Sequence, residues 1–201
     1  MITVHHLNRS RSKRVLWLLE ELNMPYELVC HERNPMTQMA PDSLKKIHPL
    51  GKAPIVVDEG VTLCESGAVM EFILSKDSEH RLRPASDADN YYQYLEWLHF
   101  AEGSLALPVI TSLLMGMEKR SGAPLDFYIK KELDVDFGYI ESTLAERAYF
   151  AGNEFTAADV MMTIVLEFAD NLKLLDGYPK IHDYLKSVQT RPAYKKAAKH
   201  G

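Results

Sequence analysis

The chain changes character once, and that change limits its fold more than any single motif. Over the first ~80 residues short β-rich runs alternate with helical ones. ITVHHL, residues 2–7, reads as a strand. SKRVLWLLEELN follows and sets Val15, Leu18, Leu19 and Leu22 on one helical face, closed by Asn23 and Pro25. YELVCH reads as a second strand, and Pro41 opens a short helix, PDSLKKIH, from a first-turn position. APIVVD and VTLCE form a hairpin about Asp58, Glu59 and Gly60. SGAVMEFILSK is helical again, with Val69, Phe72 and Ile73 to one side. The order is βαβαββα.

Residues 76–90, KDSEHRLRPASDADN, are polar and carry Pro84, the mark of a linker. Past them nothing reads as a strand. Residues 90–118 form a long helical pattern with a kink expected at Pro108. A turn is expected at residues 121–124 and a second long helix at residues 125–147. Thr156 starts a third helix, with Asp159 completing a capping box, and residues 177–179 end it. Two shorter helices follow, the last after Arg191-Pro192. The expected domains are residues 1–78, a linker at 79–88, and an all-helical domain at 89–201.

A length of 201 residues suits one large domain or two small ones. A net charge of −5 gives nucleic-acid binding no electrostatic support. Lys195, Lys196 and Lys199 fit a helix C-terminus, where cations meet the negative end of the dipole. No apolar run reaches the ~20 residues of a membrane span, so no membrane partner is expected. The N-terminus has no apolar segment behind a basic start, so it does not read as a signal peptide. Cys30 and Cys64 are far apart and form no CxxC, which points to a reducing, cytoplasmic compartment without a disulfide or a zinc site.

Several stretches could carry chemistry. His5 and His6 are adjacent on a strand, so their side chains face opposite ways and cannot grip one ion. The loop Asn8-Arg9-Ser10-Arg11-Ser12 joins the first strand to the first helix. Ser10 or Ser12 caps that helix, or the free N–H groups there, with a serine hydroxyl, receive an anion. Glu65-Ser66-Gly67 opens the third helix and poses the same alternatives. Trp17, Tyr91, Tyr92, Tyr94, Trp97 and Phe100 suit helix packing, and His99 and Glu102 share a helical face. Leu113, Leu114, Met115 and Met117 supply an adaptable apolar surface or plain core. Pro54 stands where a strand should begin pairing, and proline has no N–H to give.

HPLGKAPIV followed by LCESGAVMEFI, the serine-bearing first loop, and EFTAADVMM in the helical part, in that order, resemble the cytosolic glutathione transferase family across essentially the whole chain. The first loop looks most like the bacterial and fungal branch near the theta-like serine enzymes. The resemblance implies an α+β thioredoxin-like N-terminal domain followed by an all-α helical bundle. It implies that Pro54 is cis and that Ala53 offers its N–H and C=O to the cysteinyl backbone of glutathione, a form of β-augmentation. It implies that Ser66 takes the γ-glutamyl carboxylate, that Glu65 faces its ammonium, and that Lys52 meets the glycyl carboxylate. Ser10, four residues before Arg14, matches the serine that holds the thiolate, with Ser12 as runner-up and Arg9 and Arg11 as flanking cations. The loop lacks the tyrosine of the alpha, mu and pi classes and the cysteine of the beta and omega classes. Thr156 and Asp159 match a folding element and not a catalytic one.

The implied activity is conjugation of the glutathione thiolate to a small hydrophobic electrophile, a detoxification chemistry, with glutathione as co-substrate and no metal. Leu7, His99, Leu107 and Leu114 would line the electrophile pocket, expected between the domains. The alternatives are a glutathione-dependent disulfide or peroxide reductase and a non-catalytic glutathione-binding interaction module. The resemblance also implies a homodimer built from residues 66–76 and 89–118.

Overall fold

A computed structural model of the protein describes residues 1–118 and 122–200. Ser121, with which the expected turn at residues 121–124 begins, lies outside the described residues, as does Gly201. In chain order the elements are β1 (Ile2–Leu7), α1 (Ser12–Glu21), β2 (Tyr26–His31), α2 (Asp42–Lys45), β3 (Ile55–Asp58), β4 (Val61–Cys64) and α3 (Ser66–Ser75). There follow α4 (Tyr91–Phe100), a π-helical turn (Ala101–Leu105), α5 (Ala106–Met117), α6 (Pro124–Glu146) and α7 (Ala157–Asn171). The chain closes with α8 (Pro179–Val188), α9 (Pro192–Ala197) and a 3-10 turn (Ala198–His200). The chain divides into two compact units, one of residues 1–82 with 189–201 and one of residues 83–188.

The first unit is a mixed four-stranded sheet in the order β2-β1-β3-β4. β1 runs parallel to β2 and antiparallel to β3, and β3 runs antiparallel to β4. The alternation of β1 decides what covers each face. Ile2, Val4 and His6 are buried on one side, while Leu7 joins Leu44 of α2 and Ile55 of β3 in a core on the other. α1 is buried nearly all round, with Val15, Leu16, Trp17, Leu18 and Leu19 fully covered, as expected of a helix apolar on more than one stripe.

Part of that cover comes from α9. The ring of Tyr194 meets Trp17 edge-on at 5.1 Å, and its hydroxyl accepts a hydrogen bond from Lys13 Nζ at 3.0 Å. Arg191 grips Glu21 through Nε at 2.6 Å and Nη2 at 2.8 Å. Residues 189–200, counted by sequence with the helical domain, therefore belong to the sheet unit. Their pattern reads as one more helix, and nothing local tells which core that helix covers.

In the second unit α7 is the central helix, with Ala157, Ala158, Val160, Met161, Met162, Leu166 and Ala169 all buried. Its capping box is made as the sequence suggests, Thr156 N–H donating to Asp159 Oδ2 at 2.8 Å. α7 ends at Asn171, earlier than the glycine at residue 177 suggests, because Lys173 takes a left-handed φ of 59°. The disturbance expected at Pro108 falls one turn earlier, in the π-helical residues 101–105. The proline ring crowds the carbonyl of Ser104, and a wider turn there accommodates it.

One expectation needs correcting. The continuous helical stretch Tyr91–Met117 is 27 residues long and contains an 18-residue window with a mean hydropathy of 1.4, long and apolar enough to cross a membrane by those measures. Scattered polar residues hide this from a search for unbroken apolar runs. Within its unit this stretch packs against α7 and α6, burying Tyr94, Trp97, Leu98, Leu105 and Val109.

Candidate functional site

Strand register brings distant residues to one end of the sheet. His5 pairs with Ile55, so the chain leaving β1 at Leu7 runs beside residues 52–54. Ile55 also pairs with Cys64, which sets Pro54 beside Glu65 across the β3–β4 hairpin. The loop at residues 8–11, the segment at 52–54 and the start of α3 thus gather at the C-terminal end of β1.

The Ala53–Pro54 peptide bond is cis. Pro54 is buried, Ala53 is half-buried and Lys52 is exposed. Ser66 is the first residue of α3 and not its cap. The cap position belongs to Glu65, which is exposed and holds a left-handed φ of 79°, a conformation costing a non-glycine residue about 1–3 kcal/mol. Ser66 is 4% exposed, and its Oγ accepts from Nη1 of the fully buried Arg14 at 3.3 Å. That bond leaves the Ser66 hydroxyl proton to point elsewhere, with a guanidinium charge behind it.

The two serines of the first loop differ sharply. Ser10 is half-buried, and its Oγ accepts from the Ser12 N–H at 3.2 Å. Ser12 is 0% exposed, and its Oγ is surrounded. It accepts from the Leu7 N–H at 3.2 Å and lies 3.2 Å from the Leu7 carbonyl, 2.8 Å from His6 Nδ1 and 2.7 Å from Ser10 Oγ. Ser12 Oγ is thus covered by the protein, and Ser10 is the more exposed of the two hydroxyls. Arg11 is half-buried at the residue before α1, and Arg9 is exposed with a φ of 49°.

Three residues given no part in this loop by the sequence shape it. Arg33 donates to the carbonyls of Asn8 at 3.2 Å, Arg9 at 3.1 Å and Gln38 at 2.9 Å. Arg9 in turn donates to Gln38 Oε1 at 3.0 Å. The loop carrying Ser10 is so tied to residues 33–39. His6, expected only to be one of two outward- and inward-facing histidines, is the third: its Nε2 donates to the His200 carbonyl at 2.7 Å. Burial lowers the pKa of His6, and the His200 carbonyl opposes that shift. His5, on the opposite face, lies 3.1 Å from His31, whose other nitrogen is 2.8 Å from Ser43 Oγ. Burial lowers the pKa of both rings, and His31 lowers that of His5 further.

Among the described residues no three His, Cys, Asp or Glu side chains gather as a metal site. The proposed pocket residues belong to both units. Leu7 is 3% exposed inside the core with Leu44 and Ile55, so its side chain does not line an open pocket. His99, Leu107 and Leu114 are exposed on α4 and α5 of the second unit. In that unit Met115 lines a hollow of about 380 Å³ with Ile129, Leu133, Phe137 and Tyr178.

Residues 1–75 match the family model described as Glutathione S-transferase, N-terminal domain, and residues 107–199 match Glutathione S-transferase, C-terminal domain. Glutathione S-transferase 3 of Schizosaccharomyces pombe is 36% identical over 98% of this chain and 87% of its own length. Glutathione S-transferase 1 of Saccharomyces cerevisiae is 30% identical over 96% of this chain and 92% of its own. The solved structure of a glutathione S-transferase from Actinobacillus pleuropneumoniae superposes with a TM-score of 0.91 at 33% identity, covering 99% of this chain and 92% of that one.

Proposed function

The chain belongs to the glutathione S-transferase family, and we propose that it is a serine-type member that activates glutathione at Ser10 and conjugates it to a small hydrophobic electrophile. One observation carries this reading: the half-buried Ser10 hydroxyl, the cis Ala53–Pro54 bond and the buried Ser66 at the start of α3 occupy one end of one sheet. A tripeptide with a carboxylate at each end and a thiol between fits that spacing of functions. Ser66 and the first N–H groups of α3 take the γ-glutamyl carboxylate, with the Arg14 charge behind them. Glu65 faces the ammonium group. The Ala53 backbone pairs with the cysteinyl residue, and Lys52 meets the glycyl carboxylate. Arg9 and Arg11 add positive potential around the sulfur.

Magnitudes are adequate without a metal. A free thiol ionises near pH ~8.5. Lowering that by ~2 units needs ~2.7 kcal/mol of preference for the thiolate. A hydrogen bond to a charged group supplies about 1.5–3 kcal/mol. The N-terminus of a helix adds about 0.3–1 kcal/mol. The ten-residue α1 and one hydroxyl therefore suffice.

Exposed side chains on α4 and α6, among them Tyr92, Tyr128, Val135 and Tyr139, support a homodimer, which sedimentation would register directly. Two free cysteines support a cytoplasmic setting. The deciding test of the activity is an ultraviolet titration of bound glutathione in the native protein and in Ser10→Ala. A thiolate ionising well below its free value, and losing that shift in Ser10→Ala, supports the reading. Binding with an unshifted thiol moves the non-catalytic module ahead. Loss of the shift in Ser12→Ala alone, with Ser10→Ala unaffected, would overturn the assignment to Ser10.

A further inference from the structure

The buried chain behind Ser10 has a direction that elementary donor and acceptor chemistry fixes. The His200 carbonyl can only accept, so His6 Nε2, 2.7 Å away, carries a hydrogen. A neutral His6 then has a bare Nδ1, which can only accept from Ser12 Oγ at 2.8 Å, the shorter of the two contacts open to the Ser12 proton, the other being the Leu7 carbonyl at 3.2 Å. With its proton given to His6, Ser12 accepts at 2.7 Å from Ser10. The Ser10 proton points inward, and of its two lone pairs the one not taken by the Ser12 N–H is left for a ligand. In that state Ser10 is built to receive the proton of a thiol and not to donate to a thiolate. The arrangement is closed to water, since His6 is 2% exposed and Ser12 0%.

Resting on the reading that Ser10 meets the sulfur of glutathione, we propose that His6 is the acceptor of the glutathione thiol proton, reached through Ser10 and Ser12, and that its protonation reverses the chain so that Ser10 donates to the thiolate. The step balances without any added reactant. The S–H bond breaks and its proton forms an O–H bond on Ser10. The former Ser10 proton moves to Ser12 Oγ, and the former Ser12 proton moves to His6 Nδ1. The products are a thiolate and an imidazolium, the latter donating through Nε2 to His200 and through Nδ1 to Ser12. The His6–Ser12 and Ser12–Ser10 hydrogen bonds are kept with their directions inverted, and the bond from His6 Nε2 to the His200 carbonyl is unchanged. Ser12 and His6 act through Ser10 and so are positioning residues for the reaction.

The docking of residues 189–200 on α1 gains a purpose from this. Tyr194 on Trp17 and Arg191 on Glu21 carry the chain to the point where His200 presents its carbonyl to His6. That carbonyl sets the tautomer of His6 before glutathione arrives and stabilises the imidazolium afterwards. The titratable groups acting on His6 are His200, whose ring stands edge-on at 6.2 Å, and His31 of β2. Both rings lower the pKa of His6, so they act against its protonation, while the His200 carbonyl favours it.

The experiment uses the whole native chain with nitrogen-labelled histidine, read by imidazole resonances near neutral pH. Glutathione and S-methylglutathione, which has no thiol to ionise, are compared as ligands, with thiolate absorbance and proton release into weak buffer followed in parallel. The expected result is that glutathione converts His6 to imidazolium with little proton release, that S-methylglutathione leaves it neutral, and that Ser10→Ala leaves it neutral with either ligand. A thiolate band beside a neutral His6, with about one proton released per bound glutathione, overturns the relay and leaves Ser10 activation standing. Absence of a thiolate band overturns both.

Discussion

Each unit buries two aspartates, and the two pairs are treated in opposite ways. In the sheet unit Asp58 lies 2.7 Å from Lys76 and 3.0 Å from the N-terminal ammonium, and Asp77 is held by Arg81 at 2.8 Å. Hydrogen bonds from Lys76 and from Arg81 hold these two carboxyls below their ordinary value. In the helical unit Asp159 meets only neutral donors: Phe150 N–H at 3.1 Å, Thr156 N–H at 2.8 Å, Thr156 Oγ at 3.0 Å and Tyr184 Oη at 3.0 Å. Burial pushes Asp159 up to about 6, against the pull of those donors. Asp136 on α6 is likewise pushed up to about 6, by burial and then by the charge of Glu132. The sheet unit compensates buried charge with charge, and the helical unit compensates it with dipoles or not at all. The lesson is about purpose. Asp159 ties the cap of α7 to the turn at Phe150 and to α8, and dipoles do that with geometric precision.

The comparison is broken most severely at Asp159. Asp159→Ala strands four buried donors at once, and each unsatisfied donor costs about 1–3 kcal/mol. A loss of at least about 3 kcal/mol in denaturant unfolding is expected, and a loss under about 1 kcal/mol would show that the network is replaceable. The matching change in the sheet unit, Asp77→Asn, should cost less. Arg81 is 37% exposed, so water replaces part of what its guanidinium loses. Equal losses from the two substitutions would erase the distinction between charged and dipolar partners.

Acidity sharpens the contrast without any mutation. Unfolded, Asp136 and Asp159 titrate near 3.8, and folded they titrate near 6. Between those values the folded chain holds protons that the unfolded chain has lost, so stability falls as pH rises through the window. The penalty is complete above about 6. Asp58 and Asp77 titrate below 3.8 when folded, so their contribution is intact above that value and is lost only as pH falls further. Going from pH 7 to pH 5, amide exchange in the helical unit should slow beyond the intrinsic pH effect, while exchange in the sheet unit shows no such gain. The smallest effect is expected from Asp136→Asn, which removes an uncompensated buried charge. Its Tm should rise by about 2 °C at pH 8 and not at all at pH 4, in line with the usual 2–4 °C per kcal/mol for a chain of this size.

Much of this protein was legible in its sequence. The βαβαββα order, the helical remainder and the Thr156–Asp159 box are local patterns, set by side-chain period and by capping residues, and they needed no tertiary information. Pro54 stood out because it breaks a local rule, and the Glu65-Ser66 pair, an ordinary helix start by pattern, took its role from the resemblance. What the sequence left open is non-local. Ser10 and Ser12 are two residues apart with the same hydroxyl, and local pattern does not separate them. Only the covering of Ser12 by His6 and Leu7 does so. The apolar character of Leu7 suits a pocket wall as well as a core, and the register of β1 decides for the core. Residues 189–200 read as a helix wherever they dock, and their place on α1 follows from Trp17 and Glu21, which Arg191 reaches across 170 positions. A chain can specify its elements by period and by breakers because those act over a few residues. Which hydroxyl is covered and which is offered depends on what arrives from elsewhere in the chain, and that is settled only when the core closes.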